Sequence, residues 1–219
     1  MKFALVPVKA LAWGKSRLSA LLSEEARQAV SRAMLIDVLN SLRHSSMVEK
    51  FAVVSSDATL LALAQEFGAY VVDEGQPRGL SGAVTIGTDF CLQKGATALL
   101  VLLADLPLVE PEDIDSLFHQ GEEIGRGVIL ATCKEREGTN ALLRVPPLVI
   151  PPCFGGPSLE AHRQAARQRG VPFRAVEAPH IAFDIDSVED LQQLIAHPSQ
   201  TQTYRVLQEI GVLQKPLVR

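Results

Sequence analysis

The segment LLVLLADLPLV, residues 99 to 109, carries an unbroken apolar run into Asp105 and turns at Pro107. A carboxylate at the rim of an apolar core is unfavourable unless a cation or hydrogen bonds offset its desolvation. Its alternative use, as an acidic helper at the start of the helix after Pro111, is already supplied by Glu112 and Asp113. Ligation of a hard divalent cation such as magnesium, which takes oxygen donors, accounts for Asp105 better.

A second acidic pair stands in AFDIDSVEDL, where Asp184 and Asp186 would project to one side if the segment is a strand. Two carboxylates on one face repel unless a cation or a proton lies between them. The competing reading makes Asp186 or Ser187 the cap of the helix SVEDLQQLIA, and from the residues alone both remain open. Together with Asp105, the pair would complete a magnesium site.

Three cations, Lys9, Lys15 and Arg17, crowd the segment PVKALAWGKSRLS after the first apolar run, where they can neutralise a polyphosphate while Gly14 permits close backbone approach. Further along, FGGPSLEAH reads as a glycine turn opening a helix capped by Ser158, a place where free N–H groups hold phosphate or carboxylate. An ordinary capped helix would look the same. His162 lies one turn beyond Ser158, a position more often structural than substrate-facing. In EGTNALL, Thr139 and Asn140 precede a short strand and either face a ligand or make the turn.

These residues need a scaffold. Short Val- and Leu-rich runs at 2–8, 51–56, 70–74, 98–105 and 127–132 alternate with amphipathic stretches, the pattern of an α/β fold with a mainly parallel, Rossmann-like sheet and flanking helices. Helices are expected at 23–43, 57–67, 81–94, 111–120, 158–169, 187–196 and 200–211. Open sheets of this kind bind ligands beyond the carboxyl ends of their strands, which is where the basic segment and Asp105 fall. All 219 residues are expected to form one domain, with a loop-rich segment at about 133–160 beside the ligand cleft.

A net charge of −4 and 5% aromatic residues exclude a global basic field for nucleic acid. Three cysteines, Cys91, Cys133 and Cys153, without CxxC spacing speak against zinc and for a reducing, cytoplasmic compartment. No apolar run reaches the roughly 18 residues of a membrane span, and Pro7 and Lys9 interrupt the start before signal-peptide length. Leu207, Ile210, Val212 and Leu213 near the end could pack on the domain itself or form a homodimer contact.

In this order, PVKALAWGKSRLS, LLADLPLV, EGTNALL, FGGPSLEAH and FDIDSVEDL resemble the guanylyltransferases of deazaflavin coenzyme F-420 biosynthesis, across nearly the whole chain. The resemblance implies a nucleotide-diphospho-sugar transferase type of fold. It also implies transfer of GMP from GTP to the phosphate of 2-phospho-L-lactate or phosphoenolpyruvate, a small phosphorylated carboxylic acid, with release of pyrophosphate. By motif, Asp105, Asp184 and Asp186 would hold magnesium, Thr139, Gly155 and Ser158 the acid, and Lys9, Lys15 and Arg17 the triphosphate, with Lys15, Arg17 and Asp105 catalytic. The nucleotide loop would include Gly79 and Ser81, where the family usually carries asparagine in a GLN motif and this chain has a shorter serine.

The implied reaction suits these residues. A phosphate monoester has a second pKa of about 6 and needs no general base at neutral pH, so charge and positioning suffice without a Ser, Cys or His constellation. Two rivals are a molybdenum-cofactor guanylyltransferase or cytidylyltransferase, which would show a GGxGxR-type loop, and a nucleotide-binding regulator without catalysis.

Overall fold

The computed structural model describes residues 1–11, 15–134, 137–197 and 199–212. Gly14 and Leu213 therefore lie outside the described residues. Strands β1 (Lys2–Pro7), β2 (Lys50–Ser55), β3 (Tyr70–Asp73) and β4 (Ala98–Leu102) form the first half of the sheet, with β5 (Gly127–Ala131), β6 (Ala141–Val145) and β7 (Phe173–Val176) in the second. The seven strands lie in the order β3-β2-β1-β4-β6-β5-β7. β6 alone runs antiparallel to its neighbours, β4 and β5. Its first residue, Ala141, consequently pairs with Leu102 and Ala131, the last residues of two strands pointing the other way.

Helices α1 (Glu24–His44), α2 (Ala58–Glu66) and α4 (Pro111–Ile124) cover one face of the sheet; α3 (Gly79–Gln93) and α5 (Ser158–Gln168) cover the other. Alternation along the strands explains the two cores. Val6, Leu100 and Leu143 pack with Leu39, Leu60 and Phe118, while Leu5, Leu99 and Leu142 pack with Val84 and Ala166. Helix boundaries follow local chemistry: Ser23 accepts the N–H of Ala26 to start α1, and Glu110 with Asp113 forms a reciprocal box at α4.

A smaller core joins the 3-10 helix Ser16–Ala20 to α1, α7 (Val188–Ala196) and α8 (Gln202–Glu209). Leu207 and Val212 are buried there against Leu18, Leu22, Val30 and Met34, on this chain's own domain. Ile185 is fully buried in the same cluster.

Two expectations need correction. Asp184 and Asp186 are not on a strand: they lie in the connection between α6 (Pro179–Ala182) and α7, outside the sheet. Ser158 does not cap α5. Pro157 holds the N-cap position without a side-chain bond, and Ser158 is the first helical residue, with its hydroxyl turned to Thr139. The edge strand β7, FRAV, is short and partly exposed and lacks the long apolar run that marks β1 and β4 in the sequence. No helix among the described residues is long and apolar enough to cross a membrane.

Candidate active site

The carboxyl ends of β1, β3 and β4 open on a cleft of about 570 Å³ whose walls include Lys9, Lys15, Arg17, Glu74, Gly79, Asp105 and Asp186. That volume suits a nucleotide-sized ligand. A second hollow, about 300 Å³ between α1 and α8, is lined by Arg32 and Glu25 but holds none of the clustered acids. The chemistry therefore points to the first.

At one end of the cleft, carboxylate oxygens of Asp105, Asp184 and Asp186 all lie within 4.8 Å of one another. Sequence distance is overcome by one main-chain contact: the N–H of Ile185 donates to the Asp105 carbonyl at 3.2 Å. With the Ile185 side chain anchored in the small core, the acidic residues on either side of it bring their carboxylates to Asp105. The competing capping role falls to Ser187, which accepts the Asp190 N–H, while Asp190 receives the N–H groups of Asp186 and Ser187. Asp186 keeps its carboxylate for the cluster.

Asn140 also holds this group in place. Its side-chain amide donates to Asp184 Oδ1 at 3.1 Å and to the Ile181 carbonyl at 2.9 Å. Because β6 runs backwards relative to β4, the residue before the strand, not after it, reaches the ligand edge.

Lys15 sits inside the acidic group, with Nζ 2.6 Å from Asp105 Oδ2 and 2.8 Å from Asp186 Oδ1. Burial disfavours its charge, but the two carboxylates more than offset that and hold the ammonium above its ordinary pKa. Its backbone is left-handed, φ 51°, an uncommon conformation for a residue with a side chain. Asp184 behaves oppositely: burial, then the charges of Asp105 and Asp186, push it up to about 6 against the Asn140 bond. Asp105 Oδ1 is buried without a hydrogen-bond partner among the described residues. An unpartnered buried oxygen among three clustered carboxylates is the donor set a divalent cation needs, so the residues fit a metal.

Lys9 and Arg17 are exposed on the same cleft. Leu11, between the two in sequence, is tied down by Asp57, which caps α2 with Oδ1 and accepts the Leu11 N–H with Oδ2 at 3.1 Å.

The residues expected to hold the acid gather around a buried polar chain. The Ser158 hydroxyl donates to Thr139 Oγ1 at 2.9 Å, and His162 Nδ1 lies 3.2 Å from that same oxygen. His162 Nε2 accepts the Cys153 N–H at 2.9 Å, which leaves the proton on Nδ1. Burial, helped by the charge of Arg144, lowers the imidazole to about 4, so it is neutral at physiological pH. Thr139 and Ser158 are each only 4% exposed, whereas Gly155 is exposed with φ 103°. Ser81 does not line the cleft described above: its hydroxyl accepts the Phe154 N–H at 2.9 Å and donates to the Phe154 carbonyl at 3.1 Å. Thus it fastens the start of α3 to the loop bearing Gly155.

Arg144 carried no signal in the sequence, being one cation in a short strand. Fully buried, it bridges Thr88 of α3 at 2.8 Å and the Ile150 carbonyl at 3.3 Å, bracing the same loop from beneath.

An open α/β sheet with an acidic triad and cations at its carboxyl edge defines a nucleotidyltransferase. The fold is shared with a solved structure from Desulfovibrio desulfuricans G20, described as a "putative nucleotide-diphospho-sugar transferase", with a TM-score of 0.76 at 15% identity over 97% of this chain and 96% of that one. Residues 1–217 match the family model described as guanylyl transferase CofC like, and the chain belongs to that family. It is 42% identical to a phosphoenolpyruvate guanylyltransferase of Rubrobacter xylanophilus over 89% of this chain and 93% of the relative. To a 3-phospho-D-glycerate guanylyltransferase of Phenylobacterium zucineum it is 32% identical, over 96% and 97% respectively.

Proposed function

We propose that this protein transfers GMP from GTP to the phosphate of a small phosphorylated carboxylic acid, phosphoenolpyruvate or 2-phospho-L-lactate, releasing pyrophosphate in coenzyme F-420 biosynthesis. The observation that carries this reading is the three-acid cluster with its unpartnered Asp105 oxygen at the cationic end of a nucleotide-sized cleft.

Asp105, Asp184 and Asp186 would hold magnesium, which when bound would supply positive charge to the triphosphate and reduce its repulsion of the attacking phosphate. Asn140 keeps Asp184 aimed at the same point. Lys15, pre-charged by its acidic neighbours, and Arg17 on the cleft wall stabilise the pyrophosphate as it leaves, with Lys9 contributing at the β1 edge. The attacking phosphate brings its own nucleophilic oxygen, so the neutral, buried His162 is not required as a base. Thr139, Gly155 and Ser158 are the proposed acid-binding group.

Pyrophosphate release, measured with purified protein, should require GTP, magnesium and a 2-phosphorylated three-carbon acid together. Equal turnover with CTP and a sugar phosphate would refute the assignment. Parallel assays with phosphoenolpyruvate, 2-phospho-L-lactate and 3-phosphoglycerate identify the acceptor; similarity to the Rubrobacter relative favours phosphoenolpyruvate.

A further inference from the structure

Glu74 follows β3 and lines the cleft three strand positions from β4, which leads to Asp105, and the phosphate chemistry gives it no role. Its backbone is fixed: the N–H donates to the Ser55 carbonyl at 3.1 Å, and its carbonyl accepts from Gln76 at 2.8 Å. The carboxylate is not paired to match. Its Oε2 is buried and has no hydrogen-bond partner among the described residues. A charged acceptor held in a cleft wall with an oxygen unsatisfied is unfavourable unless a ligand donor completes it.

Position suggests which donor. From β4, which leads to Asp105, to β3, which leads to Glu74, the sheet takes three interstrand steps through β1 and β2. At about 4.8 Å each, these separate the two acids by roughly 14 Å, a span suited to a nucleotide with its phosphates at Asp105 and the far edge of its base at Glu74. Val8, Leu80 and Ala83 line the same cleft and offer apolar surface for the flat faces of a base.

Resting on the guanylyltransferase reading, we propose that Glu74 selects guanine, its carboxylate accepting the N1–H and the 2-amino group together. Guanine presents those two donors side by side. Adenine places an acceptor at N1 and cytosine one at N3, and a fixed carboxylate repels both.

The test compares kcat/KM for GTP, ITP and XTP in the wild type, Glu74→Gln and Glu74→Ala, with acceptor and magnesium saturating. Wild type should favour GTP over ITP, which lacks the 2-amino donor, by on the order of tenfold, and should reject XTP, whose 2-oxo group faces the carboxylate. Glu74→Gln should lose on the order of a hundredfold on GTP and gain on XTP, since an amide can accept from N1–H while donating to the 2-oxo group. Glu74→Ala should flatten the GTP to ITP ratio. Retention of the wild-type ratios in both variants overturns the proposal, as does equal use of GTP and ITP by the wild type, which needs no variant to fold. Absence of pyrophosphate release from wild type with any nucleotide and acid instead defeats the guanylyltransferase reading itself.

Discussion

The N–H of Ile185 donates to the carbonyl of Asp105 at 3.2 Å, and this contact joins parts of the chain eighty residues apart into one acidic group. No sheet ladder supports it; the buried Ile185 side chain does. The geometry of the acids therefore depends on packing in the small third core as much as on the sheet.

Replacing Asp105 by Asn removes a charge from the cluster but preserves its shape. Pyrophosphate release should fall by on the order of a thousandfold or more, with an unchanged far-UV circular dichroism spectrum. Near-normal turnover would remove Asp105 from the metal site.

Lys15 occupies the acids from within, so it competes with an added cation. Lys15→Met should bind manganese more tightly in the absence of nucleotide, on the order of tenfold by electron paramagnetic resonance titration, while losing turnover. Weaker manganese binding would mean that the ammonium does not oppose the metal.

Much of this centre was legible from residue type. Asp105 stood out because an acid ended the most apolar run, and the Asp184–Asp186 pair because alternation groups such residues even though their segment is not a strand. Asn140 was harder to assign: attention to strand ends misses a residue that reaches the ligand edge by preceding a reversed strand. Glu74 and Arg144 were invisible as single charges, since what distinguishes them is an unpartnered oxygen in one case and complete burial in the other. Ser158 misled because a serine at a helix start usually caps it, whereas here Thr139 offers its hydroxyl a buried partner.

His162 makes stability depend on pH. Its folded-state value of about 4 lies below the ordinary 6.5, so the unfolded chain takes up a proton that the folded protein refuses. Stability from this group is present above pH 6.5 and is lost as pH falls toward 4, by up to about 3 kcal/mol. Denaturant unfolding across that window should show the loss in the wild type and a shallower slope in His162→Gln.

Gly155 adopts φ 103°, and a Cβ there would meet open space, so alanine strains the backbone without a clash. Gly155→Ala should raise the KM for the acid on the order of tenfold and leave that for GTP unchanged. A matching rise for both substrates would place the loop outside acid recognition.

The reversal of β6 gives the molecule a modular economy. The chain leaves the sheet after β5 and re-enters through β6, between β5 and β4, so that Thr139 and Asn140 reach the ligand edge from the direction opposite to the parallel strands β1 to β4. On the proposed assignment, Lys9, Lys15, Arg17 and Glu74 handle the donor from the half of the chain that holds β1 to β4, and Thr139, Gly155 and Ser158 choose the acceptor from the half that holds β5 to β7. On that reading, substitutions in the turn before β6 and in the loop after it should change the recipient first, and those at Phe154 should reach the donor half too, because Ser81 ties that loop to α3.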